Sequence, residues 1–361
     1  MPRRARDPLP DPLGSGPFEF GEAREADIGR GRLRRDDISH PHRGLYVPAG
    51  TVPEGIEGRC EALLPLLGPG QWFSHATAAR LWGMPLPKPY RDDETLHVIS
   101  LADDEANGRS LRMRRPGVSG WEGRSARGEV RGILPVISPA DVWGQLATRG
   151  ATATGVTLTR EWLVAVGDHL LTGPRLHGRR HPLCTRAQLE DAAARRRGAR
   201  GARALEWALE RVREPVDSPK ETQLRMGLVA LGLPEPEVQV AVDTAEGVQH
   251  ADLGYRRARL LLEYQGEEHR VSRQRWLRDL RRVQLMQDAG FHVMLVGADD
   301  VDDADASRAD AGDAVGSGTM SGSGGGSSGD SAAGFGPLPG PGLVALAARV
   351  RRALAGESFG R

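Results

Sequence analysis

Cysteine is almost absent from this 361-residue chain. Cys60 and Cys184 stand far apart, too few for a disulfide framework or, by themselves, for a four-cysteine zinc site. Lysine is as scarce: only Lys88 and Lys220 occur among 49 basic residues, so the positive charge is carried by arginine. Arginine is the better bidentate phosphate ligand. The joint richness in Arg, Ala, Gly and Pro follows equally from a GC-rich coding composition. Net charge is also lacking, since 49 basic residues meet 48 acidic ones for a formal +1. No polyelectrolyte partner is written into the molecule as a whole, and any basic surface must be local. No apolar run approaches the ~20 residues of a membrane helix, and the basic residues of the opening segment have no apolar stretch behind them for a secretory signal. The expected compartment is the cytoplasm.

What is present supports two domains at the usual ~100–200 residues each, with 39% hydrophobic residues to build their cores. Residues 1–20, rich in Pro, Arg and Asp, are expected to be disordered. Residues 21–150 alternate between strand and helix signals. Arg43 to Pro48 reads as a turn into a strand, Cys60 to Leu67 as a helix, and His75 to Trp82 as a helix capped by Ser74. Leu96 to Ser100 and Gly132 to Ser138 read as strands, and Pro139 to Ala147 as a helix. Residues 151–213 read as a helical connector, with Trp162, Val166 and Leu170 marking one buried stripe. Within it, His177, His181 and Cys184 form a cluster one ligand short of a zinc site, in a loop full of arginines.

Residues 214–297 follow the order helix, strand, strand, strand, helix, strand. Ser218-Pro219-Lys220-Glu221 is a capping box with proline at the first helical position, and the helix runs to Gly232. Val238 to Val242, Gln249 to Tyr255 and Arg259 to Gln265 are expected strands, Ser272 to Ala289 a helix, and Phe291 to Val296 a final strand. Residues 298–342, acidic and then Gly/Ser-rich, cannot bury enough apolar area to offset their ordering entropy and are expected to be a disordered loop. Leu343 to Leu354 regains helical spacing, so 343–356 should return to cover the α/β unit.

The chemistry is expected on the two strands around Tyr255. A tight turn centred on Arg257 and Ala258 sets Asp252 opposite Glu263, with Leu253 and Tyr255 facing Leu262 and Leu260 on the other side of the sheet. Carboxylates paired across strands lie only ~5 Å apart at Cβ and repel, unless a cation stands between them. A divalent ion answers that need, and oxygen-only ligands favour Mg²⁺ or Mn²⁺ with water and phosphate oxygens completing the shell. The alternative is plain ion pairing with neighbouring arginines such as Arg256 or Arg270. Arg256 to Arg282 carries nine arginines against Glu263, Glu267, Glu268 and Asp279, a local net charge of +5 that suits a phosphate backbone or a solvated helix face. On that helix Trp276, Leu280 and Val283 have buried spacing.

Taken together, Ser218 to Arg225, Gly232 to Glu237, Ala251-Asp252-Leu253, Leu262-Glu263-Tyr264-Gln265-Gly266-Glu267-Glu268-His269, Trp276 to Asp279 and Gly290 to Val293 resemble the actinobacterial relatives of the very-short-patch-repair endonucleases, in the PD-(D/E)XK superfamily. The resemblance implies a restriction-endonuclease-like α/β core with a central mixed sheet, holding metal through Asp252 and Glu263. It implies Glu221 as an auxiliary acid, Gln265 at the place of the superfamily lysine, and His269 where relatives often carry a histidine. Spacing alone makes Glu221 a capping glutamate and His269 a turn residue. Members of the subgroup more often have an aspartate where Gln265 stands, and an amide can orient water but cannot act as a general base. Arg270, Arg273, Arg278 and Arg282 would then hold DNA. Arg43 to Pro48 and Phe73 to Gly83 resemble the AbiEi-type antitoxin region, which implies a winged-helix-like N-terminal part. The implied activity is metal-dependent DNA phosphodiester hydrolysis in repair or defence. The alternative is a non-catalytic DNA-binding regulator of antitoxin type, or a component that works with a protein partner.

Overall fold

The computed structural model describes residues 8–41, 43–51, 54–101, 113–123, 126–148, 158–266, 273–301 and 340–356, with the backbone alone for 273–276. It is a mixed α/β protein whose sheets have mixed strand orientation. Two units divide the chain: Met1–Leu158 with Leu183–Glu210, and Thr159–Pro182 with Arg211–Arg361. No helix among the described residues is long and apolar enough to cross a membrane.

In the first unit, a five-stranded sheet runs in the order Val118–Gly123, Leu96–Leu101, Gln71–Phe73, Leu134–Ile137, Gly128–Arg131. Helix Pro139–Leu146 is buried along its whole length. A smaller sheet joins Phe18–Glu19, Leu45–Pro48 and Ile38–Ser39, with short helices at Phe20–Glu25 and Arg30–Leu33. Part of the segment expected to lack order therefore has a place in the fold. Leu13 and Phe18 are buried with Ala23, Leu33 and Ile38, and Phe18 stacks on Tyr46 at 5.5 Å. That contact spans 28 positions, which local composition cannot reveal.

Ser74 precedes helix His75–Leu81 as expected, but its hydroxyl does not cap the helix. It meets His75 Nδ1 at 2.9 Å, while the His75 N–H donates to Gln145 Oε1 at 2.9 Å. The His75 ring stacks on Trp121 at 4.0 Å, and Trp121 Nε1 donates to His97 Nδ1 at 2.9 Å. Burial pushes both histidines well below the usual imidazole range, His97 to about 4. They are neutral members of a buried polar cluster.

The residues expected as a connector are shared between the units. Helix α1 (Arg160–Thr172) and a two-stranded hairpin, β1 (Arg175–Leu176) and β2 (Arg179–Arg180), belong to the second unit. Helix α1 is buried without interruption from Leu163 to Asp168, while Trp162 is only half-buried, so the burial is wider than a single stripe. It packs beside α2 (Pro219–Ala230), which Ser218 caps by accepting the Glu221 N–H at 3.2 Å.

From α2 the chain forms β3 (Glu237–Thr244), β4 (Gly247–Tyr255) and β5 (Leu260–Tyr264), then helix α3 (Arg273–Asp288), strand β6 (His292–Val296) and helix α4 (Pro341–Leu354). The sheet order is β3-β4-β5-β6, with β6 parallel to β5 and the other neighbours antiparallel. One face packs Leu253, Leu260, Leu262 and Met294 against Leu224 and Leu228 of α2 and Leu346 and Val350 of α4. The other packs Val240, Val242, Ala251 and Leu261 against Met286 of α3. Helix α4 returns to the sheet as its spacing requires; residues 302–339 of the expected loop lie outside the described residues.

The turn register is the expected one: Leu253 faces Leu262, Gly254 faces Leu261 and Tyr255 faces Leu260. The pairing stops there, one residue short of the expected Asp252 and Glu263 pair. Strand alternation, however, breaks at this point. Val238 and its partner Leu253 pack toward α2 and α4, whereas Val240 and its partner Ala251 pack toward α3. Between those pairs lie Gln239, at φ +47°, and Asp252, where the ladder is interrupted. A non-glycine residue in left-handed backbone is costly, and such residues cluster at functional sites.

Candidate functional site: a buried carboxylate cluster

Three acidic side chains are brought to this interruption from three elements: Glu221 from the first turn of α2, Asp252 from β4 and Glu263 from β5. Glu221 is 4% exposed and Glu263 0%. The Glu221 carboxylate does not complete the reciprocal half of the expected capping box. Its Oε2 accepts from the Asp217 N–H at 3.1 Å and from Gln239 Nε2 at 3.3 Å. The left-handed turn at Gln239 thus gives this carboxylate a side-chain donor. Asp252 Oδ2 accepts the Tyr264 N–H at 2.8 Å, taking over a main-chain donor of β5 where the β4 ladder ends.

Glu263 Oε2 is hydrogen-bonded by Arg282 Nη2, and Arg282 Nη1 donates to the His250 carbonyl at 2.9 Å. Arg282, expected on a phosphate backbone, is therefore committed to holding Glu263, so arginine neutralisation is part of the arrangement. It serves one oxygen only. Glu263 Oε1 is buried with no hydrogen-bond partner among the described residues. Burial first, then the charge of Asp252, pushes the Glu263 carboxyl up to about 8 despite Arg282. The same two causes, in the same order, push Glu221 up to about 8. An ionised carboxylate oxygen buried without a partner is costly, and the arrangement favours either a proton or a cation at the cluster.

A hard divalent cation fits that donor set, which is all oxygen, anionic when deprotonated, and includes an orphaned atom. Among the described residues, Glu221, Asp252 and Glu263 included, no group of three or more His, Cys, Asp and Glu side chains is placed to hold a metal ion.

The remaining expected site residues are more scattered. Gln265 is half-buried at the end of β5, its N–H donating to the Val296 carbonyl at 2.8 Å. Arg278 is exposed on α3. His269 and Arg270, and the side chain of Arg273, lie outside the described residues. Leu280, expected on the buried face of α3, is 43% exposed, because at this end of the helix the polar Arg282 faces the sheet and apolar packing begins only with Val283 and Met286. Gln239 was missed by sequence reasoning, because Val238, Val240 and Val242 alternate so regularly that nothing in the run marks the flip between them.

Missed as well was a buried ion network behind α2. Asp168 of α1 accepts from Thr222 Oγ1 at 2.7 Å, Arg225 Nη2 at 3.0 Å and the Arg213 N–H at 2.7 Å. Arg225 is 1% exposed and also reaches Glu235 at 2.7 Å. This network fixes α2, and with it Glu221, against α1.

Fold and site together define a mixed α/β protein with a buried carboxylate cluster. The chain is 31% identical, over 262 residues, to the uncharacterized proteins MT2308 and Rv2248 of two Mycobacterium tuberculosis strains, covering 72% of this chain and 84% of each relative. It belongs to the family of these mycobacterial proteins. No protein-family model matches the chain, and no solved structure matches it.

Proposed function

We propose that the second unit is a nuclease domain that hydrolyses DNA phosphodiester bonds with Mg²⁺ or Mn²⁺ at the Glu221, Asp252 and Glu263 cluster. The observation that carries this reading is the orphaned, fully buried Glu263 Oε1 beside two further carboxylates at an interruption of the sheet. The helix, three antiparallel strands, helix and parallel strand of this unit support a restriction-endonuclease-like core. In the first unit, the small three-stranded sheet with two short helices supports a winged-helix-like part of AbiEi type.

In this mechanism Asp252 and Glu263 would hold the ion, and the ion would supply polarisation of the scissile phosphate and a lowered pKa for an attacking water. Arg282 fixes the rotamer of Glu263, and Gln239 and the Asp217 N–H fix that of Glu221. Gln265 orients water through its amide and takes no proton. Because burial and the Asp252 charge raise Glu221 and Glu263, nicking at limiting metal should climb with pH as they ionise.

The amide at Gln265 favours a second reading, a DNA-binding regulator that retains the fold without hydrolysis. Incubating the full chain with supercoiled, mismatched and single-stranded DNA separates the two. Nicking that appears with Mg²⁺ or Mn²⁺ and disappears with chelator is the expected result. Binding that persists in chelator, with no nicking of any substrate under either metal, selects the regulator.

A further inference from the structure

The β1/β2 hairpin supplies no carboxylate to the cluster, and it is a short, well-anchored arm. Arg179 pairs with Leu176 and Arg180 with Arg175, across the two-residue turn His177-Gly178 whose φ angles are +50° and +78°. Two successive positive φ values are those of the tight hairpin connection that matches strand twist. At the base, the His181 N–H donates to the Pro174 carbonyl at 3.0 Å, and Gly173, at φ +69°, lies so close that a Cβ there would stand 1.9 Å from the His181 carbonyl oxygen.

One side of the hairpin is clamped. Arg180 Nη2 and Arg175 Nη2 bond Asp217 Oδ2 at 2.9 and 3.3 Å, and the Asp217 N–H is the one that donates to Glu221. The arm is thus tied, through a single residue, to the carboxylate cluster. The other side is bare: Leu176 is 51% exposed, Arg179 beside it is exposed, and so is His177 at the tip. Residues 175–181 contain three arginines, two histidines and no acid. A rigid two-stranded ribbon carrying an outward cation next to an outward apolar side chain matches a nucleic-acid groove, where arginine meets phosphate and the apolar group meets sugar or base edges.

We propose that hairpin 175–180 is a DNA-binding arm that docks duplex DNA beside the carboxylate cluster, with Arg179 on the phosphate backbone and Leu176 against the groove wall. The proposal rests on the reading of this unit as DNA-directed, but not on hydrolysis.

The test is fluorescence anisotropy of the full chain with a labelled duplex in chelator, across a salt series. The double substitution Arg179→Ala with Leu176→Ser should weaken binding about tenfold and lower the salt slope by about 1. Arg179→Lys should restore the slope, and Arg352→Ala, an exposed arginine on α4, should bind as wild type does. Both hairpin positions are exposed, and circular dichroism of each variant would check that it folds. The arm is refuted if the double variant binds as wild type does, if wild type binds no duplex DNA, or if it prefers duplex RNA or single strands. Hairpin-dependent binding without nicking would retire hydrolysis and leave the arm standing.

Discussion

Glu263→Gln and Asp252→Asn should each lower Mg²⁺-dependent nicking on the order of a thousandfold, equivalent to about 4 kcal/mol of barrier. Both replacements keep shape and hydrogen-bonding capacity. The amide carbonyl introduced by Glu263→Gln would still accept from Arg282 Nη2, and that introduced by Asp252→Asn would still accept the Tyr264 N–H, so the strands should pair as before. What is lost is the negative charge on which a divalent ion depends. Duplex binding in chelator should change less than threefold, since the arm engages DNA without the ion. A preparation in which wild type and both variants nick equally would place the activity elsewhere, in another site or a contaminant.

Asp168→Ala should destabilise the second unit by about 3–5 kcal/mol, the usual cost of stranding one member of a buried ion pair. Arg225 would keep Glu235 but lose its fully buried partner, and the Thr222 hydroxyl and Arg213 N–H would lose their acceptor. With two units in the chain, a single melting curve mixes their transitions. Hydrogen exchange of peptides from α1 and α2 is the sharper readout. It should show protection falling there, while the sheet at 96–101 in the first unit stays protected. Adding Arg225→Met to Asp168→Leu should recover much of the loss, because apolar side chains of similar volume avoid the desolvation cost. Unchanged exchange in α1 and α2 after Asp168→Ala would show that the network does not hold these helices.

The elements from α2 onward were legible because their signals are local. Ser218-Pro219 marks a helix start, Leu253, Tyr255, Leu260 and Leu262 alternate, and a short turn admits few registers. The pairing of Leu253 with Leu262 and of Tyr255 with Leu260 followed from that turn alone. Other features depended on groups distant in sequence. Arg282 looked like one more arginine on a basic helix until the fold brought it to Glu263, 19 positions away. The Glu221 carboxylate bonds one residue earlier than a capping box would have it, because Gln239 meets it from the neighbouring strand. Asp168 and Arg225 are 57 positions apart, and no spacing rule joins them. Phe18 sat in a segment whose composition argues for disorder, and only its long-range contact with Tyr46 gives it a core.

A cation is the centre of the proposed mechanism, and its uptake would have a proton signature. Burial and the Asp252 charge raise Glu221 and Glu263 and so favour their protonated forms, whereas a metal requires them ionised. Without a cation, their contribution to stability is complete below the unfolded carboxylate pKa of about 4.3 and is lost as pH rises through about 8. Calorimetric titration of the full chain with Mn²⁺ at pH 7, repeated in buffers of different ionisation enthalpy, reads binding and proton release together. The expected result is one ion bound with net proton release, both abolished by Glu221→Gln with Glu263→Gln. Absence of Mn²⁺ uptake at millimolar concentration, or uptake with no proton released, would contradict a cation-neutralised carboxylate centre.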